Sequence, residues 1–182
     1  MHNSDLSGNK LQGSIPSTLW GLEQLQTLQL VVFLYNFRDL SNNQLNGAIP
    51  DSLGNLQNLE YLYLQDNFLE GMIPSSLGNL VSLKELNLNF NKLWGPIPDE
   101  LGNLTNLTSL LMAENKLSGT LPSTLGNLKS VEYFYLPSND LKGKLPKSYA
   151  NLTEIRWFVV AGNDLSGPLP DFVTNWSKVR SL

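Results

Sequence analysis

The chain of 182 residues contains no cysteine, and its only histidine is His2. The lack of cysteine excludes disulfide bonds, thiolate zinc sites and thiol nucleophiles, although it leaves the redox compartment open. A Ser-His-Asp triad needs a histidine held inside a site, and a histidine at the second position of the chain is a poor candidate for that role. We therefore predict that the chain is not an enzyme and that it holds no metal ion or cofactor.

Positive charge and long apolar runs are also scarce. Twelve Lys and Arg face sixteen Asp and Glu, which gives a formal net charge of -4, and no basic run occurs. This balance argues against a nucleic-acid partner and against a polybasic membrane patch. The longest apolar run covers residues 30–35, whereas a membrane span needs about 20 residues, and the N-terminal residues do not resemble a signal peptide. We expect no direct membrane insertion by this chain.

What the chain has in abundance is one repeated motif, L-x-x-L-x-x-L-x-L-x-x-N-x-L-x-G-x-I-P-x-x-L-G-N. The motif recurs every 24 residues, apart from a first interval of 34, which therefore contains ten additional residues. A fixed period of this length is typical of solenoids, in which each coil buries its apolar side chains against its neighbours. The copies begin at Leu22, Leu56, Leu80, Leu104, Leu128, Leu152 and Trp176.

Each recurring position of the motif has a physical role. Alternating leucines such as Leu62 and Leu64 predict a short strand with one buried face. A buried asparagine after the strand can bond backbone groups of its own and the adjacent coil. The glycine suits a tight bend, the Ile-Pro step extends the chain, and the following segment suits a 3₁₀ turn. The predicted asparagine ladder consists of Asn9, Asn43, Asn67, Asn91, Asn115, Asn139 and Asn163.

These patterns predict a single domain, residues 1–182, built of about seven coils. We expect a curved right-handed solenoid of the α/β type, with short parallel strands on the concave face and 3₁₀ turns on the convex face. The ten-residue insert is placed within residues 29–39, and an incomplete coil at residues 176–182. Residues 45–50 (LNGAIP) and 117–122 (LSGTLP) resemble the plant-specific class of leucine-rich repeats.

The resemblance implies the ectodomain of a plant leucine-rich-repeat receptor-like serine/threonine kinase, which is a non-catalytic recognition module in signalling. It implies a peptide, glycan or protein ligand, with a co-receptor as a further partner. It also implies a location at the extracellular face of the plasma membrane, or secretion. Such ectodomains begin with a signal peptide and a cysteine-paired cap, and neither occurs here. We therefore expect a fragment, with any kinase activity in a domain outside it.

Two alternative functions use the same class of repeat. A secreted inhibitor of polygalacturonase would carry paired cysteines at both ends, so the lack of cysteine counts against it. An ice-binding protein would need a regular grid of Thr or Asn on an exposed face, and no outward column of this sequence is uniformly Thr or Asn. The receptor ectodomain therefore ranks first.

The outward strand positions contain the candidate ligand-binding residues, because the repeat requires no particular side chain there. Exposed apolar clusters mark interaction sites, and Tyr and Trp are favoured at binding hot spots. Two alternatives stay open: the aromatics satisfy β propensity, or a further domain covers them. The predicted concave-face site comprises Tyr61, Tyr63, Phe90, Leu111, Tyr133, Tyr135, Arg156, Trp157 and Val159.

Four sequons suggest N-glycosylation in a secretory setting. Their asparagines are Asn103, Asn106, Asn151 and Asn175, and all but Asn106 also occupy the asparagine column at the end of a repeat. Residues 31–38 (VVFLYNFR), in the first interval, are apolar and aromatic. They form either a lateral loop that contacts a partner or a bulge without function, and we favour the bulge.

Overall fold

We describe the protein from a computed structural model, which defines residues 3–18, 27–29 and 43–182. Residues 30–39, which hold almost all of the predicted insert, lie outside the described residues, as does His2. The described chain forms stacked coils with a common order of elements. Each complete coil contains a short strand, an asparagine turn, a second strand and a 3₁₀ helix.

The first strand of each coil belongs to the predicted parallel sheet on the concave face, which we call the concave sheet. Except between Thr27 and Tyr61, partner residues in neighbouring strands are 24 positions apart, as in the pair Tyr61 and Glu85 and the pair Tyr133 and Trp157. From Leu62 onward, the middle residue of each of these strands points inward and is buried. The strands are Asn3–Asp5 (β1), Thr27–Gln29 (β3), Tyr61–Tyr63 (β5), Glu85–Asn87 (β7), Ser109–Leu111 (β9), Tyr133–Tyr135 (β11) and Trp157–Val159 (β13).

The second strand of each coil belongs to a second parallel sheet, which the repeat motif did not predict. The segment before each motif glycine alternates in burial: Leu69 is buried, while Phe68 and Glu70 are exposed. This period-two pattern of burial is typical of a strand with one buried face. The strands are Gln12–Ser14 (β2), Gln44–Gly47 (β4), Phe68–Gly71 (β6), Lys92–Pro96 (β8), Lys116–Thr120 (β10), Asp140–Gly143 (β12) and Asp164–Leu165 (β14).

Short 3₁₀ helices follow the prolines, as predicted for the convex face. In each, the preceding proline is extended, as at Pro98 with φ -65° and ψ 137°, and the helix ends at the repeat-end asparagine position. In four of these helices a glycine lets neighbouring coils approach: a Cβ on Gly102 would lie 2.5 Å from the carbonyl oxygen of Thr124. The helices are Asp51–Asn55, Ser75–Asn79, Asp99–Asn103, Ser123–Asn127, Lys147–Asn151 and Asp171–Asn175.

The asparagine side chains join successive coils. Asn91 accepts a hydrogen bond from the Leu69 backbone N–H at 3.0 Å and donates to the carbonyl oxygens of Leu64, at 2.9 Å, and Leu88, at 3.2 Å. Leu64 and Leu69 belong to the preceding coil, while Leu88 belongs to the same coil. Asn91 therefore satisfies backbone groups in two coils that would otherwise be buried unpaired, whereas the exposed Asn9 bonds only Leu6 and Ser7 of its own coil. The same bonds recur at Asn115, Asn139 and Asn163.

Strand register locates the ten additional residues. In the concave sheet, Asn3 pairs with Thr27, 24 positions on, but Thr27 pairs with Tyr61, 34 positions on. In the second sheet, Gln12 pairs with Gln44, 32 positions on, whereas later partners such as Asn46 and Phe68 are 22 apart. The ten additional residues therefore lie between β3 and β4. The strands before and after them still pair with their neighbours in both sheets.

The core changes from leucine to aromatic residues toward the C-terminal end. Phe134 and Phe158 take the inward strand position and stack with a centroid separation of 4.9 Å. Tyr149 occupies the leucine position of a 3₁₀ helix, and its hydroxyl donates to the Pro122 carbonyl oxygen at 3.1 Å. Trp176 is buried, packs on Phe158 at 4.8 Å, and donates through Nε1 to the Tyr149 carbonyl oxygen at 3.1 Å. The Tyr149 hydroxyl and the Trp176 indole N–H, which both lie inside the core, therefore each have a hydrogen-bond partner.

Candidate functional site

Two aromatic side chains face each other across adjacent strands of the concave sheet. Tyr133 in β11 pairs in register with Trp157 in β13, and their ring centroids are 6.4 Å apart with ring planes 15° from parallel. Both point outward, because the inward position between them belongs to the buried Phe134 and Phe158. The two rings remain 41% and 42% exposed, so they present aromatic surface to solvent.

Apolar neighbours enlarge this aromatic pair. Tyr135 lies in register with Leu111 on one side and Val159 on the other, so the next outward column is also apolar. Tyr135 is exposed, while Leu111 and Val159 are partly buried. We call the five residues Leu111, Tyr133, Tyr135, Trp157 and Val159 the concave aromatic patch.

A charged pair borders the concave aromatic patch. Arg156 Nε lies 2.8 Å from a Glu132 carboxylate oxygen, and both side chains are about one-third exposed (36% and 32%). Backbone hydrogen bonds hold the two residues side by side, because the N–H groups of Arg156 and Trp157 both donate to the Glu132 carbonyl oxygen. Half-exposed ion pairs contribute little to stability. The pair therefore places one positive and one negative group beside the aromatic rings.

The predicted residues Tyr61 and Tyr63 form a separate group. Their ring centroids are 6.3 Å apart, and the Tyr63 hydroxyl donates to Glu85 Oε2 at 2.6 Å. Burial, this hydrogen bond and the Glu85 charge all raise the pKa of Tyr63. Lys84 lies 5.8 Å from the centre of the Tyr61 ring. Glu85 and Asn87 of β7 separate this group from the concave aromatic patch, so the outward aromatic residues of the concave sheet form two clusters.

Phe90 differs from the other predicted residues because it does not lie in a strand. It occupies the turn before Asn91, where its φ is 55°, and its side chain is 51% exposed. Other residues immediately before a ladder asparagine share this left-handed conformation: Asp66, Glu114, Ser138, Gly8 and Gly162. Glycine occupies two of these positions, and glycine adopts positive φ without strain. The two glycines could therefore have indicated this left-handed conformation from the sequence.

Known repeat proteins share this geometry. Two models of leucine-rich repeats match the chain, one over residues 39–93 and the other over residues 5–22 and 106–128. The ectodomain of the Arabidopsis thaliana plant membrane receptor kinase GASSHO1/SCHENGEN3, in complex with CASPARIAN STRIP INTEGRITY FACTOR 2, is 35% identical with a TM-score of 0.89. That match covers 98% of this chain and 20% of the receptor chain.

The chain belongs to the leucine-rich-repeat family.

Other solved leucine-rich-repeat structures are similar as well. The Arabidopsis receptor kinase HAESA, in complex with the peptide hormone IDA and the co-receptor SERK1, is 35% identical with a TM-score of 0.81, over 99% of this chain and 33% of that chain. A plant ice-binding protein is 31% identical with a TM-score of 0.70, over 91% of this chain and 57% of that chain. The chain thus spans a third or less of the two receptor ectodomains. Among curated proteins, no sequence matches it.

All four sequon asparagines are exposed on one edge of the leucine-rich-repeat array. Asn103, Asn151 and Asn175 end 3₁₀ helices. Asn106 lies slightly further along, and its Nδ2 donates to the Val81 carbonyl oxygen at 2.9 Å. These positions lie in the segments that lead from the 3₁₀ helices back to the concave strands. Asn106 borders a surface pocket together with Lys84 and Thr108, next to the concave strands.

Metal clusters and membrane-spanning helices are absent from the described part of the chain. No group of three or more His, Cys, Asp or Glu side chains there could hold a metal ion. No helix among the described residues is long and apolar enough to cross a membrane.

Proposed function

We propose that the chain is the ligand-recognition region of a plant receptor-like kinase ectodomain, and that the concave aromatic patch binds a peptide ligand. The observation that carries this proposal is the exposed, registered pair Tyr133 and Trp157 with apolar Leu111 and Val159 beside it. The repeat requires no apolar side chain at these outward positions. Clusters of exposed Tyr and Trp with this arrangement are typical of binding hot spots.

The sheet limits how a ligand can be held. The backbone groups of β11 are bonded to β9 and β13, so an incoming chain cannot join the sheet as another strand there. Contacts must come from side chains, namely the rings, the two tyrosine hydroxyls and the Glu132–Arg156 pair. A ligand with apolar side chains and free backbone hydrogen-bonding groups fits this surface, since interfaces combine an apolar centre with a polar rim.

The length of the surface favours a short extended ligand. Four strand steps separate Tyr61 in β5 from Trp157 in β13, and strands about 4.8 Å apart make this roughly 19 Å. An extended peptide advances about 3.3 Å per residue, so about six residues would contact both tyrosine clusters. The receptor structures with bound peptide ligands support a ligand of this kind.

Partners and location follow from the same comparisons as proposals. The HAESA structure contains a co-receptor, which supports a co-receptor for this chain too. The GASSHO1/SCHENGEN3 ectodomain comes from a membrane receptor kinase, which supports placement of this chain on the extracellular side. N-glycans at the four exposed sequons would agree with that placement.

Isothermal titration calorimetry with defined peptides tests the proposed function. Synthetic CASPARIAN STRIP INTEGRITY FACTOR 2 and IDA peptides are the first probes, followed by peptides selected from a random linear library. We expect at least one peptide to bind the parent chain and to bind the Trp157→Ala variant at least about 30-fold more weakly. The variant Lys147→Ala, on a 3₁₀ helix, should bind like the parent. Equal binding by parent and Trp157→Ala would remove the concave aromatic patch from the site.

Ice binding remains a second candidate function because the similar plant ice-binding protein spans 91% of this chain. Its weakness is the outward surface of the concave sheet, which mixes Tyr, Glu, Asn, Leu and Trp rather than repeating one hydroxyl or amide residue. An assay of ice recrystallisation decides this candidate directly. A polygalacturonase inhibition assay does the same for the inhibitor alternative.

A further inference from the structure

A polar surface pocket lies at the edge of the concave sheet. Its volume is about 420 Å³, and three of its lining residues immediately precede the strands β5, β7 and β9. Every side chain that lines the pocket carries a hydroxyl, amide, ammonium or carboxylate group. The pocket therefore suits a ligand with many hydrogen-bonding groups rather than an apolar one. The lining residues are Glu60, Ser82, Lys84, Asn106, Thr108 and Ser130.

One wall of this pocket is the asparagine of a sequon. The sequon is Asn106-Leu107-Thr108, and its hydroxyl residue, Thr108, lines the pocket as well. An N-linked sugar is attached to the asparagine side-chain nitrogen, and Asn106 Nδ2 lies 2.9 Å from the Val81 carbonyl oxygen of the preceding coil. A sugar on this nitrogen would thus begin against the protein surface, beside the pocket. The substituted nitrogen keeps one hydrogen, with which it can still donate to Val81.

Small side chains leave room on both sides of Asn106. The same repeat position, 24 residues before and after it, holds Ser82 and Ser130. In the next two coils this position holds long side chains instead, and Glu154 and Lys178 pair there at 2.5 Å. The space beside Asn106 therefore depends on the two serines of the adjacent coils.

Hydrogen bonds within the protein hold the pocket walls in place. Lys84 Nζ donates to Glu60 Oε2 at 2.7 Å, and Thr108 Oγ1 donates to the Lys84 carbonyl oxygen at 2.9 Å. The two charges of the lining pair with each other, so the lining has no net charge that would select an ion. An ammonium group has three donors and a carboxylate has two acceptor oxygens, so both keep capacity for a neutral ligand. Sugar hydroxyls donate and accept, and they suit both groups.

We propose that Asn106 carries an N-linked glycan whose first sugar, an N-acetylglucosamine, lies in this pocket. Its hydroxyl and acetamido groups bond to Lys84 and to the serine hydroxyls of Ser82 and Ser130, so the sugar connects its own coil to the coils on both sides. In the attachment step, a bond forms between Asn106 Nδ2 and C1 of the sugar. The bond from C1 to a lipid-linked pyrophosphate donor breaks, and one Nδ2 proton leaves with the lipid pyrophosphate.

This inference rests on the extracellular placement in the proposed function, because N-glycans are added in the secretory pathway. It does not depend on the concave aromatic patch, since no residue of that patch lines the pocket. The test below adds a signal peptide, which directs the chain to the secretory pathway whatever its natural location. Failure of the glycan proposal and failure of peptide binding are therefore separate results.

Enzymatic release of the glycans from the folded chain tests the proposal. The full chain is secreted from cultured human cells as the variant Asn103→Gln, so that Asn106 is the only sequon in its segment, while Asn151 and Asn175 serve as references in the same molecule. Peptide N-glycosidase cleaves the bond between asparagine and the first sugar, and mass spectrometry follows each site with time. We expect release at Asn106 to be about tenfold or more slower than at the references, because the sugar must first break its hydrogen bonds to the pocket.

A variant that fills the pocket separates the pocket from other causes of slow release. Ser82→Arg, added to the same chain, places a long side chain where the sugar lies, so release at Asn106 should accelerate toward the reference rate. Ser123→Arg makes the same change at an exposed position of a 3₁₀ helix outside the pocket lining, and it should not alter release. Thermal melts check that each variant is folded.

Three results would overturn the proposal. The first is a secreted, folded chain without a glycan on Asn106, which would show that the site is not modified. The second is release at Asn106 as fast as at Asn151 and Asn175, which would place the sugar in solvent. The third is slow release that Ser82→Arg leaves unchanged, because the protection would then come from a surface other than the pocket.

Discussion

Tyr133 and Trp157 lie opposite each other on adjacent strands, with their rings 15° from parallel and both more than 40% exposed. Trp157→Ala should lower the free energy of unfolding by about 1 kcal/mol at most, because the ring is outside the core. It should weaken ligand binding by about 2 kcal/mol or more. Chemical denaturation and calorimetry on the same variant separate the two effects. A loss of stability as large as the loss of binding would make the pair structural.

The asparagine ladder predicts a large effect for a small truncation. Asn115 accepts from the Leu93 backbone N–H at 3.0 Å and donates to the Leu88 carbonyl oxygen at 2.9 Å. Asn115→Ala leaves these groups in the preceding coil without that partner, so we expect destabilisation by about 1–3 kcal/mol. Asn46→Ala, at an exposed strand position, is the matched control and should change stability by less than about 0.5 kcal/mol. Equal urea midpoints for the two variants would refute the ladder.

The left-handed turn predicts that removing a side chain stabilises the protein. Phe90 has φ 55°, a conformation that disfavours a side chain by about 1–2 kcal/mol. Phe90→Gly should therefore raise the free energy of unfolding by about 1 kcal/mol. Phe68→Gly makes the same change at a similarly exposed strand position, where glycine is unfavourable, and should lower it. Thermal unfolding of both variants tests the difference in sign.

Close contact between coils predicts that one added methyl group is harmful. A Cβ on Gly102 would approach the Thr124 carbonyl oxygen to 2.5 Å, so Gly102→Ala must push two 3₁₀ helices apart. We expect a loss of about 2 kcal/mol or more, in the range of overpacked cores. At Gly8, where φ is 68° and nothing lies within 4 Å of the added atom, alanine should cost about 1 kcal/mol from its backbone conformation alone. Similar losses in the two variants would contradict the steric cause.

Several contacts shield apolar surface of the C-terminal coil. Solenoids need polar caps, so the sequence predicts that this coil frays or self-associates. In the structure, Trp176 is buried and bonded to Tyr149, and Ser181 pairs with Trp157. Leu169 and Leu182 remain exposed. Hydrogen exchange over residues 152–182 would measure how much protection these contacts provide.

The repeat period alone determined the solenoid, the concave strands, the 3₁₀ helices and the positions of the ladder asparagines. It could do so because every coil has the same two requirements. Its leucines need the adjacent coil in order to be buried, and its backbone groups need the adjacent coil as a hydrogen-bond partner. The sequence also placed Tyr133, Tyr135 and Trp157 on the outward side, since strand side chains alternate between faces. The second sheet did not follow from the motif, because the motif asparagine and glycine indicate turns and only a few alternating residues lie between them.

Only the tertiary structure decided how these positions meet. The 24-residue period already places Tyr133 next to Trp157 and away from Tyr61 and Tyr63, but only the structure shows that the two rings lie nearly parallel and stay exposed. Glu85 engages the Tyr63 hydroxyl and Glu132 engages Arg156, so two residues predicted to bind a ligand already have partners in the protein. Such contacts depend on side-chain rotamers and on distances between strands, which the repeat period does not specify.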